Sequence, residues 1–413
     1  MPTQQVALPQ RNNPFWYRLI KAYGRVSASL GWQQPLSAEK MLAQALRRQR
    51  REDFIDTSFC EGLEAFVTSA NNEARLNGFG RLTISQMVAM ALNQRLRLEA
   101  WREEHPLIAQ EQVRPPLIIV GLPRTGTTFL HQLLSQDPQF RSPRRFEIEL
   151  PVPPPLEDAL AHDRRVKRVQ LGLDVIHKIV PHFMAVHPMA APYPDECQQI
   201  TQYQFCSMGM QHIIDAPSYQ HWLLAHDYTR DLAFHQRFLQ HLQSGWQRPH
   251  WLLKSPAHVQ YLPVLLKTYP DAMIIHTHRN PQEVMGSVSS LSWIMQDVFS
   301  DHADPRRTGQ GQLKYFNGIT RMCLDGRQSL ARSDAFVDVR FPDLVADPMA
   351  IIRDVYDHFA LTLTPSTVAA MDAFLGSNRQ GERGAHGYDP AVFGVDGLDT
   401  IPVYRQYRQR FSV

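Results

Sequence analysis

The sequence predicts an α/β fold: a P-loop-like central parallel sheet flanked by helices, with a helical layer ahead of it. Three observations carry this. The apolar period changes from helical to strand-like near residue 113; a strand, a glycine loop and a helix follow at 114–138; and short apolar runs then alternate with helical stretches as far as residue 359. Residues 1–112 form the helical N-terminal layer, packed on an α/β domain at 113–413 as one structural unit.

In the N-terminal layer, "SAEKMLAQALRRQRREDF" and "TISQMVAMALNQRLRLEAWREEH" are apolar-periodic runs headed by Ser37 and Thr83, which would serve as caps. "NPFWYRLIKAYGR" puts Phe15, Leu19, Ile20 and Tyr23 on one helical face, with Arg18, Lys21 and Arg25 elsewhere. A stripe of this kind ordinarily docks on the core; contact with a membrane surface is the other use of such a helix. "RPPLIIVG" then reads as a buried strand, and "TTFLHQLLSQDP" as a helix with Phe129, Leu130, Leu133 and Leu134 on one face, ending at Asp137-Pro138.

Three more strands are expected in 250–256, 272–279 and 335–341, with helices in "VQYLPVLLKTY", "PQEVMGSVSSL" and "PMAIIRDVYDHF". Ligands of a parallel sheet bind beyond the carboxyl ends of its strands. Arg124, Lys254 to His258, Arg279 and Phe341 to Asp343 stand at those ends and should converge on one crevice. Three Pro- or Gly-rich stretches, 141–155, 182–196 and 296–312, read as lids or substrate walls. The glycine-rich tail carries Arg379 and Arg383.

The balance of 43 Lys+Arg against 40 Asp+Glu, a formal charge of +3, speaks against a nucleic-acid or acidic-polymer partner, so any anion site is local. Four scattered cysteines without a C-x-x-C pair indicate neither a disulfide framework nor a structural zinc site, which fits a reducing cytoplasm. No run reaches the roughly 18 apolar residues of a membrane span, and no apolar signal core heads the chain.

The stretch "IIVGLPRTGTTFL" holds the chemistry. Gly121 and Gly126 keep the spacing of a phosphate-binding loop, but Thr127 stands where a Walker loop has lysine, and Arg124 is the one cation inside. Between a strand and a helix, the loop from Arg124 through Thr125, Gly126, Thr127 and Thr128 reads as an anion site at a helix N-terminus. The missing lysine and the lack of a Walker-B aspartate argue against Mg-dependent cleavage at a γ-phosphate. A second anion site is outlined by "THRNPQEVMGSV": Arg279 at a strand end, Asn280 as cap, Pro281 and Glu283 in the first turn, and Ser287 farther along the helix.

"GLPRTGTTFLHQLL", "LKSPAH", "PDAMIIHTHRNPQEVMGSVSSL" and "VRFPDLVADP", in this order, resemble the sulfotransferases that use PAPS (3′-phosphoadenosine 5′-phosphosulfate). The resemblance runs from about residue 55 onward, because "H-x-Y…FG" near 386–394 and "YRQYRQRF" also look like bacterial members. It implies that the loop cradles the 5′-phosphosulfate and that Arg279 and Ser287 hold the 3′-phosphate. Phe341 takes a place that is often Tyr, leaving stacking near the adenine but no phenol hydrogen bond. Arg379 and Arg383 become candidates for closing on the 3′-phosphate, and Lys254 for serving the leaving group.

For the general base, His258, with an ordinary pKa near 6.5, stands beside Glu147; Asp195 and Glu196 are outsiders. His276 and His278 share a strand face, but no third ligand is suggested, so no metal is expected. The reaction implied is sulfuryl transfer from PAPS, releasing PAP, to a hydroxyl of a small apolar acceptor. The alternatives are a P-loop small-molecule kinase and a nucleotide-binding scaffold without catalysis.

Overall fold

The computed structural model describes residues 12–181, 189–378 and 389–413. Arg379 and Arg383, and most of the apolar part of 182–196, lie outside the described residues.

Five parallel strands form the sheet: β1 (Pro116–Gly121), β2 (Phe140–Arg141), β3 (His250–Lys254), β4 (Met273–His278) and β5 (Phe336–Arg340), in the order β2-β3-β1-β4-β5. The central strand β1 is buried along its whole length, as its unbroken apolar run requires. Its side chains alternate between two cores. Ile118 and Val120 join a core built with N-terminal residues such as Phe66, Val88 and Leu92 and with Leu232 and Phe238. Leu117 and Ile119 meet Leu130, Leu133 and Leu134, together with Ile352 and Met371, on the opposite face.

The four longer strands lie where the apolar runs put them. β2 is new: two residues, Phe140 and Arg141, pair with His250 and Trp251, a run too short to show any period. The N-terminal helices are α1 (Phe15–Ser29), α2 (Ala38–Gln49), α3 (Cys60–Asn72) and α4 (Gly78–Glu104). Ser37 caps α2 by accepting from the Lys40 amide, as expected. Thr83 does not cap: α4 starts five residues earlier, where the Asn77 side chain accepts from the Gly80 amide.

Two of the three stretches read as lids are otherwise engaged. In 141–155, Phe146, Glu147 and Ile148 are buried in a short helix, Arg145–Glu149. That segment zips to 191–195 through backbone bonds from Arg145 to Tyr193, from Phe146 to Ala191 and from Asp195 to Pro143. The stretch 296–312 is mostly helical: one helix runs Pro281–Phe299, and Asp304 caps the next, Pro305–Ser329. Gly309 reads as a loop residue in sequence, yet it serves close packing, since a Cβ there would sit 2.0 Å from the Phe393 carbonyl oxygen.

α1 docks on the core, but of its predicted stripe only Ile20 packs there, beside Trp16. The buried side is Tyr17, Lys21, Gly24 and Ser27. Tyr17 donates to the Val298 carbonyl at 2.7 Å, Lys21 pairs with Asp301, and Gly24 meets Gly78 so closely that a Cβ would be 2.4 Å from the Gly78 Cα. Phe15, Leu19 and Tyr23 point to solvent.

Candidate functional site

The loop after β1 is held by its own conformation. Gly121 and Gly126 have φ of 149° and 89°, and Arg124 is also left-handed at 69°. A Cβ on Gly121 would lie 2.3 Å from Thr277 Oγ1, and one on Gly126 2.9 Å from Leu344 Cδ2 and 3.1 Å from Phe341 Cδ2. Only glycine fits either place. Thr125 is fully buried: its hydroxyl is 2.7 Å from the Leu122 carbonyl and 2.6 Å from Thr277 Oγ1, so the loop is pinned to β4 from beneath. Helix α5 (Thr127–Leu134) then begins, and the amides of its first turn have no partner within the helix. Gly126→Ala is expected to destabilise the fold by about 1–3 kcal/mol from backbone strain and to abolish anion binding; calorimetry of both quantities checks it, and a variant that binds like the parent would contradict the cradle.

Arg124 joins the two anion sites foreseen in sequence. Its Nε donates to Ser287 Oγ at 3.0 Å, while its carbonyl accepts from Arg279 Nη1 at 3.0 Å. Ser287 is nearly buried, and the Arg279 guanidinium lies 4.2 Å from the centre of the Phe341 ring and pairs with Glu283. Asn280 caps this helix by accepting from the Gln282 amide, with Pro281 in its first turn. Strand ends β1, β4 and β5 therefore meet here.

β3 contributes Lys254, 2% exposed, whose Nζ donates to Thr128 Oγ1 at 3.2 Å and pairs with Glu196. Glu196, with Asp195 only an outsider as a base in sequence, is thus the carboxylate in contact with Lys254. Asp195 supports it: Oδ1 accepts from the Glu196 amide at 2.7 Å and Oδ2 from Arg145 at 3.1 Å.

The two favoured bases have other partners. Glu147 is fully buried; one oxygen accepts from the Arg144 amide at 3.0 Å, and Arg141 Nη2 lies 3.9 Å from it. Arg141 is sandwiched between Trp246 and Trp251, and it pairs in register with Trp251, three residues before Lys254 in β3. Burial pushes the Glu147 carboxyl up, with Arg141 opposing. His258 is fully buried with Nδ1 3.1 Å from the Tyr261 hydroxyl, and burial holds it well below its usual pKa. Its Nε2 has no hydrogen-bond partner among the described residues.

His131 on α5, absent from the sequence reading, is held near about 3 by burial and then by the Lys254 charge. Burial likewise lowers His235 to about 3 and His241 to about 4, and lowers His276 and His278. For a base, a folded pKa below the unfolded 6.5 means that the unfolded chain binds protons first. Stability is then full above about pH 6.5 and is lost as the pH falls towards 4, by about 1.4 kcal/mol per pH unit for each proton taken up. Denaturant titrations between pH 6.5 and 5 should give an uptake of three or more protons on unfolding; an uptake below one contradicts the buried neutral set.

Asp338 on β5 supplies the third group that sequence did not suggest beside His276 and His278. Its carboxylate binds His278 Nε2 at 2.9 Å and takes two bonds from Arg327, which also reaches His276 Nδ1 at 3.2 Å. The chain's own guanidinium thus occupies this cluster. His278 also contacts the Tyr407 hydroxyl at 2.8 Å and stacks on Phe411, which fixes the strand end just before Arg279.

A glycine cradle at the carboxyl edge of a parallel sheet, with cations delivered from β3 and β4 in place of the Walker lysine, defines a P-loop-like anion-binding protein. The chain belongs to the sulfotransferase family, whose profile matches residues 115–365. The omega-hydroxy-beta-dihydromenaquinone-9 sulfotransferases of Mycobacterium bovis and Mycobacterium tuberculosis are 27% identical to it over 263 residues. That match covers 60% of this chain and spans 63% of the length of those relatives. The crystal structure of sulfotransferase STF9 from Mycobacterium avium matches with a TM-score of 0.82 at 27% identity, covering 91% of this chain and 97% of its own. That of STF1 from Mycobacterium tuberculosis gives 0.77 at 27% identity, covering 92% and 99%. Among the described residues no helix is long and apolar enough to cross a membrane.

Proposed function

We propose that this chain transfers a sulfuryl group from PAPS to the hydroxyl of an apolar, lipid-like acceptor and releases PAP. The observation that carries the reading is the double engagement of Arg124, by side chain with Ser287 and by carbonyl with Arg279, which ties the glycine cradle to a second basic site. A nucleotide phosphorylated at both ends fits two linked anion sites better than ATP does.

PAPS supplies an activated sulfuryl group on a phosphate leaving group, and a 3′-phosphate that ADP lacks. The first-turn amides of α5 would hold the 5′ end. Arg279 and Ser287 would bind the 3′-phosphate, with Phe341 offering a flat face to the base. Lys254 would donate to the bridging oxygen as it gains charge, and Glu196 would take the acceptor proton. The acceptor oxygen forms its bond to sulfur as the bridging S–O bond breaks, and that electron pair leaves on the phosphate. We assign the base to Glu196 rather than to His258 or Glu147 because it already touches Lys254.

The acceptor class is supported by the menaquinone derivative in the relatives' name. The free cysteines, Cys60, Cys197, Cys206 and Cys323, fit a reducing cytoplasm. Calorimetric titration with PAP, ADP, and ATP plus Mg²⁺ at one ionic strength tests the donor. PAP should bind without Mg²⁺ and far more tightly than ADP; stronger binding of ATP with Mg²⁺ would replace this reading with a kinase. Transfer of radiolabelled sulfate from PAPS to an ω-hydroxylated isoprenoid quinone, compared with a simple phenol, tests the acceptor.

A further inference from the structure

The outward face of α1 has no part in the donor site. Phe15, Leu19, Tyr23, Val26 and Leu30 lie at helical spacing and are 52–73% exposed, and Trp32, just past the helix, is 69% exposed. This stripe is backed by a firmly docked helix, so it is not a frayed end: Tyr17, Lys21 and Gly24 lock the opposite side. Residues 12–38 contain no Asp or Glu, while Arg18 and Arg25 flank the stripe, exposed. The neighbouring helix, Arg164–Ile179, whose last turn accepts from the Asn12 amide, adds exposed Leu171 beside Lys167 and Arg168.

We infer that α1 is a membrane-surface anchor whose outward apolar stripe, flanked by Arg18 and Arg25, lies in the interface of an anionic lipid bilayer. A single convex helix presents a line of aromatic and aliphatic groups, which suits a planar interface. Asp301 is shared by Lys21 and, at 3.6 Å, by Arg25, and with Arg18 the flank keeps a net positive charge, which complements anionic headgroups and screens with salt. A second copy docked face to face would instead bring Arg18 and Arg25 against their own equivalents. The inference does not depend on the proposed acceptor, because surface binding needs neither donor nor acceptor.

The test is co-sedimentation of the full chain with vesicles of phosphatidylcholine, with and without phosphatidylglycerol. Binding should be at least about tenfold tighter on the anionic vesicles and should weaken with added salt. Arg18→Gln and Arg25→Gln should each weaken it about fivefold, and the pair Leu19→Glu with Tyr23→Glu should remove it. Circular dichroism and thermal unfolding of the variants should match the parent, since the altered side chains are exposed. Equal binding to both vesicle types, no binding to either, or full binding by the Leu19→Glu/Tyr23→Glu variant would each overturn the inference. So would a dimer that the same variant dissociates while the parent ignores vesicles, since the face would then belong to a second copy.

Discussion

Lys254→Met is expected to lower the rate of sulfuryl transfer about a thousandfold while leaving PAP affinity within about tenfold. A preorganised charge at the leaving oxygen is worth about 10²–10³ in turnover, and it acts only as charge develops there. The ammonium is almost fully buried and is aimed by two partners, Thr128 and Glu196, so little rearrangement is needed to present it. The substitution also removes the countercharge of the Glu196 carboxylate, which is 4% exposed and keeps its bond from Gln198 Nε2, at a cost of about 3–5 kcal/mol in stability. The double variant Lys254→Met/Glu196→Gln separates the two effects. It should recover most of the melting temperature, because no unpaired charge is left buried, and none of the turnover. Wild-type turnover by the double variant would exclude both residues from the chemistry.

Arg279→Ala should weaken PAP binding by about 10–150-fold, the range for a hydrogen bond to a charged group, and change ADP binding by less than about threefold. ADP is the control that matters, because Arg279 also holds the Arg124 carbonyl and could act through the loop. Equal losses for the two nucleotides would move Arg279 from ligand contact to loop support. Arg279→Lys should rescue only part of the PAP loss: it keeps the charge, but loses the planar fork that reaches both the carbonyl and Glu283 and the flat packing on Phe341.

Much of this arrangement could be read from sequence, and the remainder fails for identifiable reasons. Gly121, Gly126 and the Asn280-Pro281 cap are local signals, each tied to a backbone conformation that few other residues adopt, and they lie where their spacing put them. The strand ends followed from apolar runs, which is why Lys254 and Arg279 could be placed near the loop. Glu196 could not be singled out: it follows an irregular proline-containing segment, and its contact with Lys254 spans 58 residues. Thr277 was hidden for a related reason, as a strand threonine whose hydroxyl meets the loop through the β1–β4 register. The glycines near 309 looked like a loop because sequence does not show whether a small residue serves a turn or a close crossing. The apolar stripe of α1 was read onto the core because periodicity marks an apolar face without saying which way it points. Here the tyrosine, the lysine and two crossing glycines decided the docking.

The zip between residues 143–149 and 191–195 gives the two sides of the Lys254 crevice different fastenings. The glycine loop is fastened to the central strands through Thr125 and Thr277, so a substitution there disturbs the sheet itself. The wall segment is held by those backbone bonds together with its buried Phe146, Ile148 and Ala191, and it meets the carboxyl end of β3 at the Glu196–Lys254 pair. Exposed side chains of the wall, such as that of Tyr193, carry neither those bonds nor the core, so its outer face can change without disturbing the glycine loop.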